Sequence, residues 1–188
     1  MYLIAIDVGI KNLAFVVYNY KTKEVDLWEN TTICGDDKYM PYNNVEYMFD
    51  WVCKYQHYFD HAIKVINERQ MRANMRIIES ILHTMFYPIC TVISARDVKV
   101  HFDLSTRNYR LNKKAAVDFI TEQLPGDIVK NHEHCKSWLG TQTKKDDLAD
   151  AMLLLLYFVK TTHNISPEDV HTSCPELLKH IKDGVAGA

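Results

Sequence analysis

YLIAIDVGIKNLAFVVYNY, Tyr2 to Tyr20, is where the fold is decided. Tyr2 to Asp7 is an unbroken apolar run that ends in an acid. Such a run suits a strand covered on both faces, as in the parallel part of an α/β sheet. Gly9 permits a tight turn, and NLAFVVYNY then reads as a second strand. EVDLWENTTI, from Glu24, reads as a third, joined to the second as a hairpin. AIKVINE, Ala62 to Glu68, is a fourth strand and again ends in an acid; ICTVIS, from Ile89, is a fifth.

Helical patterns separate the later strands. Asn43 or Asn44 is expected to cap a helix through about Tyr58, with Val45, Met48, Phe49 and Val52 on its apolar side. RQMRANMRIIESILHTMFY predicts a helix with Met71, Met75, Ile78 and Leu82 on one face, stopped by Pro88. ARDVKVHF predicts a helical turn, Asp103 to Asn112 a basic polar loop, and KKAAVDFITEQL a helix ended by Pro125. Residues 127–142 read as irregular, with NHEHC (His132, His134 and Cys135 within it) as a surface loop. A final long helix is expected from near Lys144 to Lys160, then two short helical pieces, ISPEDV and CPELLKHI, and a frayed tail over 183–188. This order predicts an α/β fold: a five-stranded mixed sheet, three strands as an antiparallel meander and the rest parallel, flanked by helices. One domain over residues 1–188 is the simplest organisation.

The chain has 188 residues, 47% of them hydrophobic. No window of 18 apolar residues exists, so no membrane span is expected. The N-terminus has no basic segment ahead of its apolar run, so no signal peptide is expected. Five irregularly spaced cysteines predict free thiols in a reducing, intracellular setting. The net charge of −2 hides a pattern. Residues 69–114 carry 9 basic and 3 acidic groups, between two acidic segments. That basic middle is either a polyanion-binding surface or a solvated helical face.

TKKDDLADAMLLLLYFVK, Thr143 to Lys160, raises the sharpest chemical question, because Asp150 enters an apolar helix. Thr143 with Asp146 matches a capping box, which accounts for Asp146. A buried Asp150 without a partner is costly and calls for a cation, a hydrogen bond or a metal. Asp147 and Asp150, three apart, share a helix face with Cβ atoms about 5–6 Å apart. Asp7 and Glu68 end buried strands, where ligand sites of α/β sheets gather. Four clustered carboxylates repel one another unless divalent cations neutralise them, and hard oxygen ligands select Mg²⁺ or Mn²⁺. Two such ions, about 3.5–4 Å apart, are the arrangement for in-line phosphodiester displacement.

IAIDVGIKNLAFVVYN, INERQ and KKDDLADAMLL, in this order, resemble the RuvC-type Holliday junction resolvases, and most of all the poxvirus and iridovirus branch with its fungal mitochondrial relatives. The resemblance covers roughly residues 1–20, 62–76 and 92–160. It implies a ribonuclease H-like fold, a homodimer, and Mg²⁺-dependent paired nicking of four-way DNA junctions that leaves 5′-phosphate and 3′-hydroxyl ends. No nucleotide cofactor is implied. The metal-binding acids match Asp7, Glu68, Asp147 and Asp150, for two ions per site. A basic residue beside the scissile phosphate matches NKKAAV, with Lys114 favoured over Lys113, and Lys99 matches a second basic position. Arg69, Arg72, Lys99, Lys113 and Lys144 are expected to face DNA. A viral source would place the protein at viral DNA replication, in cytoplasm or nucleus. Ala14 stands where cellular members often have Gly, and residues 34–60 and those after Lys160 have no clear counterpart in the bacterial enzyme.

Two rival readings are a junction-binding protein without activity and a phosphotransferase of the actin-like class. The complete set of four acids argues against the first. The short chain argues against the second, which needs another lobe around its nucleotide.

Overall fold

The computed structural model describes residues 1–162. The helical pieces expected at ISPEDV and CPELLKHI, and the tail 183–188, lie outside the described residues. Five strands form one sheet: β1 (Tyr2–Asp7), β2 (Leu13–Asn19), β3 (Glu24–Thr31), β4 (Ala62–Glu68) and β5 (Cys90–Ile93). Their spatial order is β3-β2-β1-β4-β5, with β1, β2 and β3 antiparallel and β4 and β5 parallel to β1. This is the expected mixed sheet of a ribonuclease H-like fold. β1 is central and its apolar run is buried on both faces, as a continuous hydrophobic strand must be.

Strand alternation divides the core in two. Leu3, Ala5 and Ile66 face one side; Ile4, Ile6 and Val65 face the other. The first side is covered by α4 (Ala95–His101), α5 (Tyr109–Gln123), α6 (His132–Thr141) and α7 (Lys145–Thr161). The second is covered by α1 (Asn44–Lys54), the short α2 (Gln56–Phe59) and α3 (Ala73–Met85). α7 lies against β1 and β2, and Leu148, Ala149 and Ala151 through Leu156 are all buried. A helix apolar on every side belongs in the centre of a fold, and this one does. Trp28 Nε1 donates to Leu148 O at 3.1 Å, which ties the first turns of α7 to β3.

Several local expectations are corrected. Asn43 flanks α1 but makes no side-chain cap, and the Asn44 side chain accepts from Tyr39 OH at 2.8 Å instead. α1 ends at Lys54 rather than running through Tyr58, and Val45 is 65% exposed. α3 starts at Ala73, so Met71 precedes it and is exposed, while Ile78, Leu82 and Met85 are buried. α5 starts at Tyr109, inside the expected loop. The Asn108 side chain accepts from Arg110 N and Leu111 N, which supplies its cap.

Residues 132–141 are helical, not irregular. Cys135 and Leu139 recur at helical spacing and are buried, and Trp138 packs on Trp28 at 5.1 Å. The Asn131 side chain, just before this helix, both accepts from Val25 N and donates to Val25 O at 3.0 Å. Thr143 does not cap α7. Lys144 holds the flanking position without a side-chain cap, and Asp146 pairs with Lys113. Cys34, Cys53, Cys90 and Cys135 are free thiols. Among the described residues no helix is long and apolar enough to cross a membrane.

Candidate active site

The parallel register of β1 and β4 pairs Ile6 with Asn67. Asp7 and Glu68 follow one residue later, at the same end of adjacent strands. By alternation they share the face of Ala5 and Ile66, the face that α7 covers. α7 begins at this end, so Asp147 and Asp150 in its first two turns reach the same place. The four acids line one cleft of about 570 Å³, with Arg69, Arg72, Lys99 and Lys113 also in its wall. Gly9 closes the turn after β1 beside them. A Cβ there would lie 2.2 Å from Asn12 O, so no side chain fits.

The charges are unevenly paired. Lys99 Nζ, from α4, stands 3.3 Å from Asp150 Oδ1. Lys113 Nζ, from α5, stands 3.2 Å from Asp147 Oδ1 and also bonds Asp146. Among the described residues Asp7 and Glu68 have no ion-pair partner. Burial raises the Asp7 carboxyl well above the usual range, and Glu68 and Asp150 add to it. Burial, with repulsion from Asp150, pushes Glu68 up to about 7. Burial also raises Asp150, although Lys99 opposes it. Burial opposes charge on Lys113, but Asp146 and Asp147 outweigh it and its pKa rises. The same pairing outweighs burial at Asp146, whose pKa falls.

Three carboxyls, Asp7, Glu68 and Asp150, held above their normal range mark a cluster short of positive charge. Its donors are all hard oxygens, from two strand ends and one helix, which fits Mg²⁺ or Mn²⁺ and not a soft metal. Among the described residues no three His, Cys, Asp or Glu side chains form a ready-made cage. Lysine ammonium groups instead sit against Asp146, Asp147 and Asp150, the three acids of α7.

The structure brings eight of the ten residues singled out from the sequence to this cleft: Asp7, Glu68, Asp147, Asp150, Arg69, Arg72, Lys99 and Lys113. Lys114 and Lys144 are outside it. Lys114 is exposed in a neighbouring groove with Arg110 and Lys145, and Lys144 is exposed at the head of α7. Although Lys114 was the favoured candidate, it is Lys113 that the fold brings against the acids. The signal was available, because Lys113 shares a helix face with buried Ala116 and Ile120, at i+3 and i+7. Arg76 lines a different groove, between α1 and α3. Trp51 and Tyr55 are buried in the core, while Tyr42 is exposed.

Other residues were not singled out. Glu79 of α3 accepts from Gln70 N at 2.6 Å, and Gln70 Nε2 donates to Glu68 O at 3.4 Å. That clamp shapes the turn that carries Glu68, Arg69 and Arg72. Tyr109 also lines the cleft, its ring centroid 5.5 Å from Lys113 Nζ. Contacts between residues nine apart and across elements leave no pattern in the sequence.

The model of the family described as "Poxvirus A22 protein" matches residues 1–162. No curated protein sequence matches the chain. The fowlpox virus resolvase, solved with Holliday junction DNA, is similar at 18% identity and a TM-score of 0.63, over 87% of this chain and 100% of that one. The yeast mitochondrial Holliday junction resolvase is similar at 18% identity and a TM-score of 0.61, over 96% of this chain and 83% of that one. RuvC of T. thermophilus, in complex with a Holliday junction substrate, is similar at 13% identity and a TM-score of 0.54, over 85% of this chain and 96% of that one.

Proposed function

Since the chain belongs to the Poxvirus A22 protein family, we propose that it is a Holliday junction resolvase, an endonuclease that cuts four-way DNA junctions. The observation that carries this is the convergence of Asp7, Glu68, Asp147 and Asp150, from β1, β4 and α7, on one cleft edged with arginine and lysine. A protein that only bound junctions would gain nothing from four acids facing DNA.

The four carboxylates hold Mg²⁺, two ions per site, with Mn²⁺ as a substitute. When bound, the ions supply water activation and charge stabilisation for in-line displacement at phosphorus. Lys113 and Lys99 reach the same cleft and stabilise negative charge as it grows on the scissile phosphate. Arg69 and Arg72, exposed on the turn after β4, hold the phosphate backbone. Water adds to phosphorus and the bond to the 3′ oxygen breaks, which leaves a 5′-phosphate and a 3′-hydroxyl. Resolution of a symmetric junction takes two paired nicks, so the working unit is a homodimer. We infer that it acts where viral DNA is replicated, a reading that membership of a poxvirus family supports.

The test is incubation of the purified protein with a synthetic four-way junction and Mg²⁺, beside Asp150→Asn. The expected result is paired nicks from the intact protein and a loss greater than about 100-fold in the variant, more than an outer-shell partner costs. Failure of the intact protein to cut any branched DNA would sink the nuclease reading. Equal cleavage by both proteins would remove Asp150 from the site.

A further inference from the structure

The two α7 acids that face Asp7 and Glu68 in the cleft, Asp147 and Asp150, already have cationic partners from separate helices. Lys113 Nζ lies 3.2 Å from Asp147 Oδ1, and Lys99 Nζ 3.3 Å from Asp150 Oδ1. The lysine side chains are only 25% and 15% exposed, so solvent screens these charges weakly. A divalent cation taken up by Asp147 and Asp150 therefore competes with two ammonium groups for the same oxygens. A phosphodiester entering the cleft offers each ammonium another anionic partner, and lysine on its flexible stem can follow it.

We propose, resting on the nuclease reading above, that Lys99 and Lys113 are exchangeable counter-ions that couple metal binding to DNA binding. Without DNA they hold the α7 acids against a divalent cation. Phosphates draw them off and free the carboxylates. The lysines that hold back the metal are then the ones that grip the scissile strand. Linkage makes the effect reciprocal: DNA tightens the metal and the metal tightens DNA by one factor, about fivefold or more for a coupling of ordinary size.

Direct contact between metal and phosphate also couples the two ligands. The lysine effect differs in that it acts when no DNA is present. The deciding experiment is calorimetric titration of Mn²⁺ into the DNA-free full chain, its folding checked by circular dichroism. Lys99→Met and Lys113→Met are each expected to bind Mn²⁺ at least about fivefold more tightly than the parent. Lys114→Met, an equal charge change on an exposed neighbour outside the cleft, should shift it by less than about twofold. Lys113→Met carries the test should Lys99→Met fail to fold, since Lys113 is the more exposed of the pair.

A second arm measures junction affinity with Ca²⁺ and with chelator. The parent's gain in Ca²⁺ is expected to shrink in Lys113→Met. Equal Mn²⁺ affinities in all the proteins, or an equal gain in Lys114→Met, overturn the counter-ion proposal and leave the nuclease reading standing. No Mn²⁺ binding by any of them overturns the metal reading as well.

Discussion

On one face of the sheet, Leu3, Ala5 and Ile66 lead along β1 and β4 to Asp7 and Glu68. On the other face, the same two strands show Ile4, Ile6 and Val65 to α1 and α3. That second face is closed by aromatic contacts. Phe15 meets Trp51 at 5.1 Å, Trp51 meets Phe59 at 5.4 Å, and Phe59 stacks on Phe86 at 4.7 Å. It ends outward in an apolar groove of about 870 Å³ between α1 and α3. The first face ends in a smaller, polar cleft of about 570 Å³. A single residue step along a strand separates the two environments. One face gives up stability to hold unneutralised charge, and the other recovers it by packing.

Substitutions on the two faces should fail in different ways. The largest effect is expected on the acid face. Lys113→Met should lower junction cleavage by roughly 10²–10³-fold, the cost of one well-placed transition-state donor, while Lys114→Met stays close to the parent. Rates for both at saturating Mg²⁺ check this; a larger loss at Lys114 would reverse the assignment. On the apolar face, Ile78→Ala removes a side chain with 0% exposure between α3 and the sheet. It should cost about 2–5 kcal/mol of stability by urea unfolding. Cleavage by the fraction still folded should persist, because Ile78 is remote from the acids; its loss there would mean that the faces are not independent.

The smallest effect is a pH dependence of stability. Glu68 is raised to about 7 in the folded chain, above the ordinary glutamate value. The folded state then holds a proton that the unfolded state has lost. Stability is full below the unfolded value, near pH 4.3, and falls as pH rises through about 7. Glu68→Gln in chelator should flatten that fall and melt higher than the parent at pH 8. A parent melting temperature that rises across pH 5–7 would show that Glu68 is stabilised as an anion.

Periodicity made most of the architecture legible. β1, β2, β3, β4, β5 and α7 are apolar runs or alternating segments long enough to overcome local ambiguity. Segments of mixed polarity were less legible. α6 is read as a loop because NHEHC is polar, yet Cys135, Trp138 and Leu139 bury one side of it. α5 begins four residues earlier than its apolar pattern, where the cap of Asn108 overrides a polar stretch. Asp146 matches a capping box in Thr143's register, but the ammonium of Lys113 is a stronger partner for a carboxylate than a backbone amide.

By itself the sequence determined that four acids exist where strands end and a helix starts, and that an apolar α7 must lie across the sheet. Those follow from spacing, since a period of two or of 3.6 sets which residues share a face. Only the tertiary structure decided that β1 and β4 are neighbours in parallel register, which sets Asp7 beside Glu68. It also decided that Lys113 rather than Lys114 turns inward, that Lys99 crosses from α4 to Asp150, and that Glu79 clamps the turn after Glu68. These depend on contacts between residues far apart in the chain. A charge shows which partner it needs, but not which of several equivalent lysines the packing will deliver.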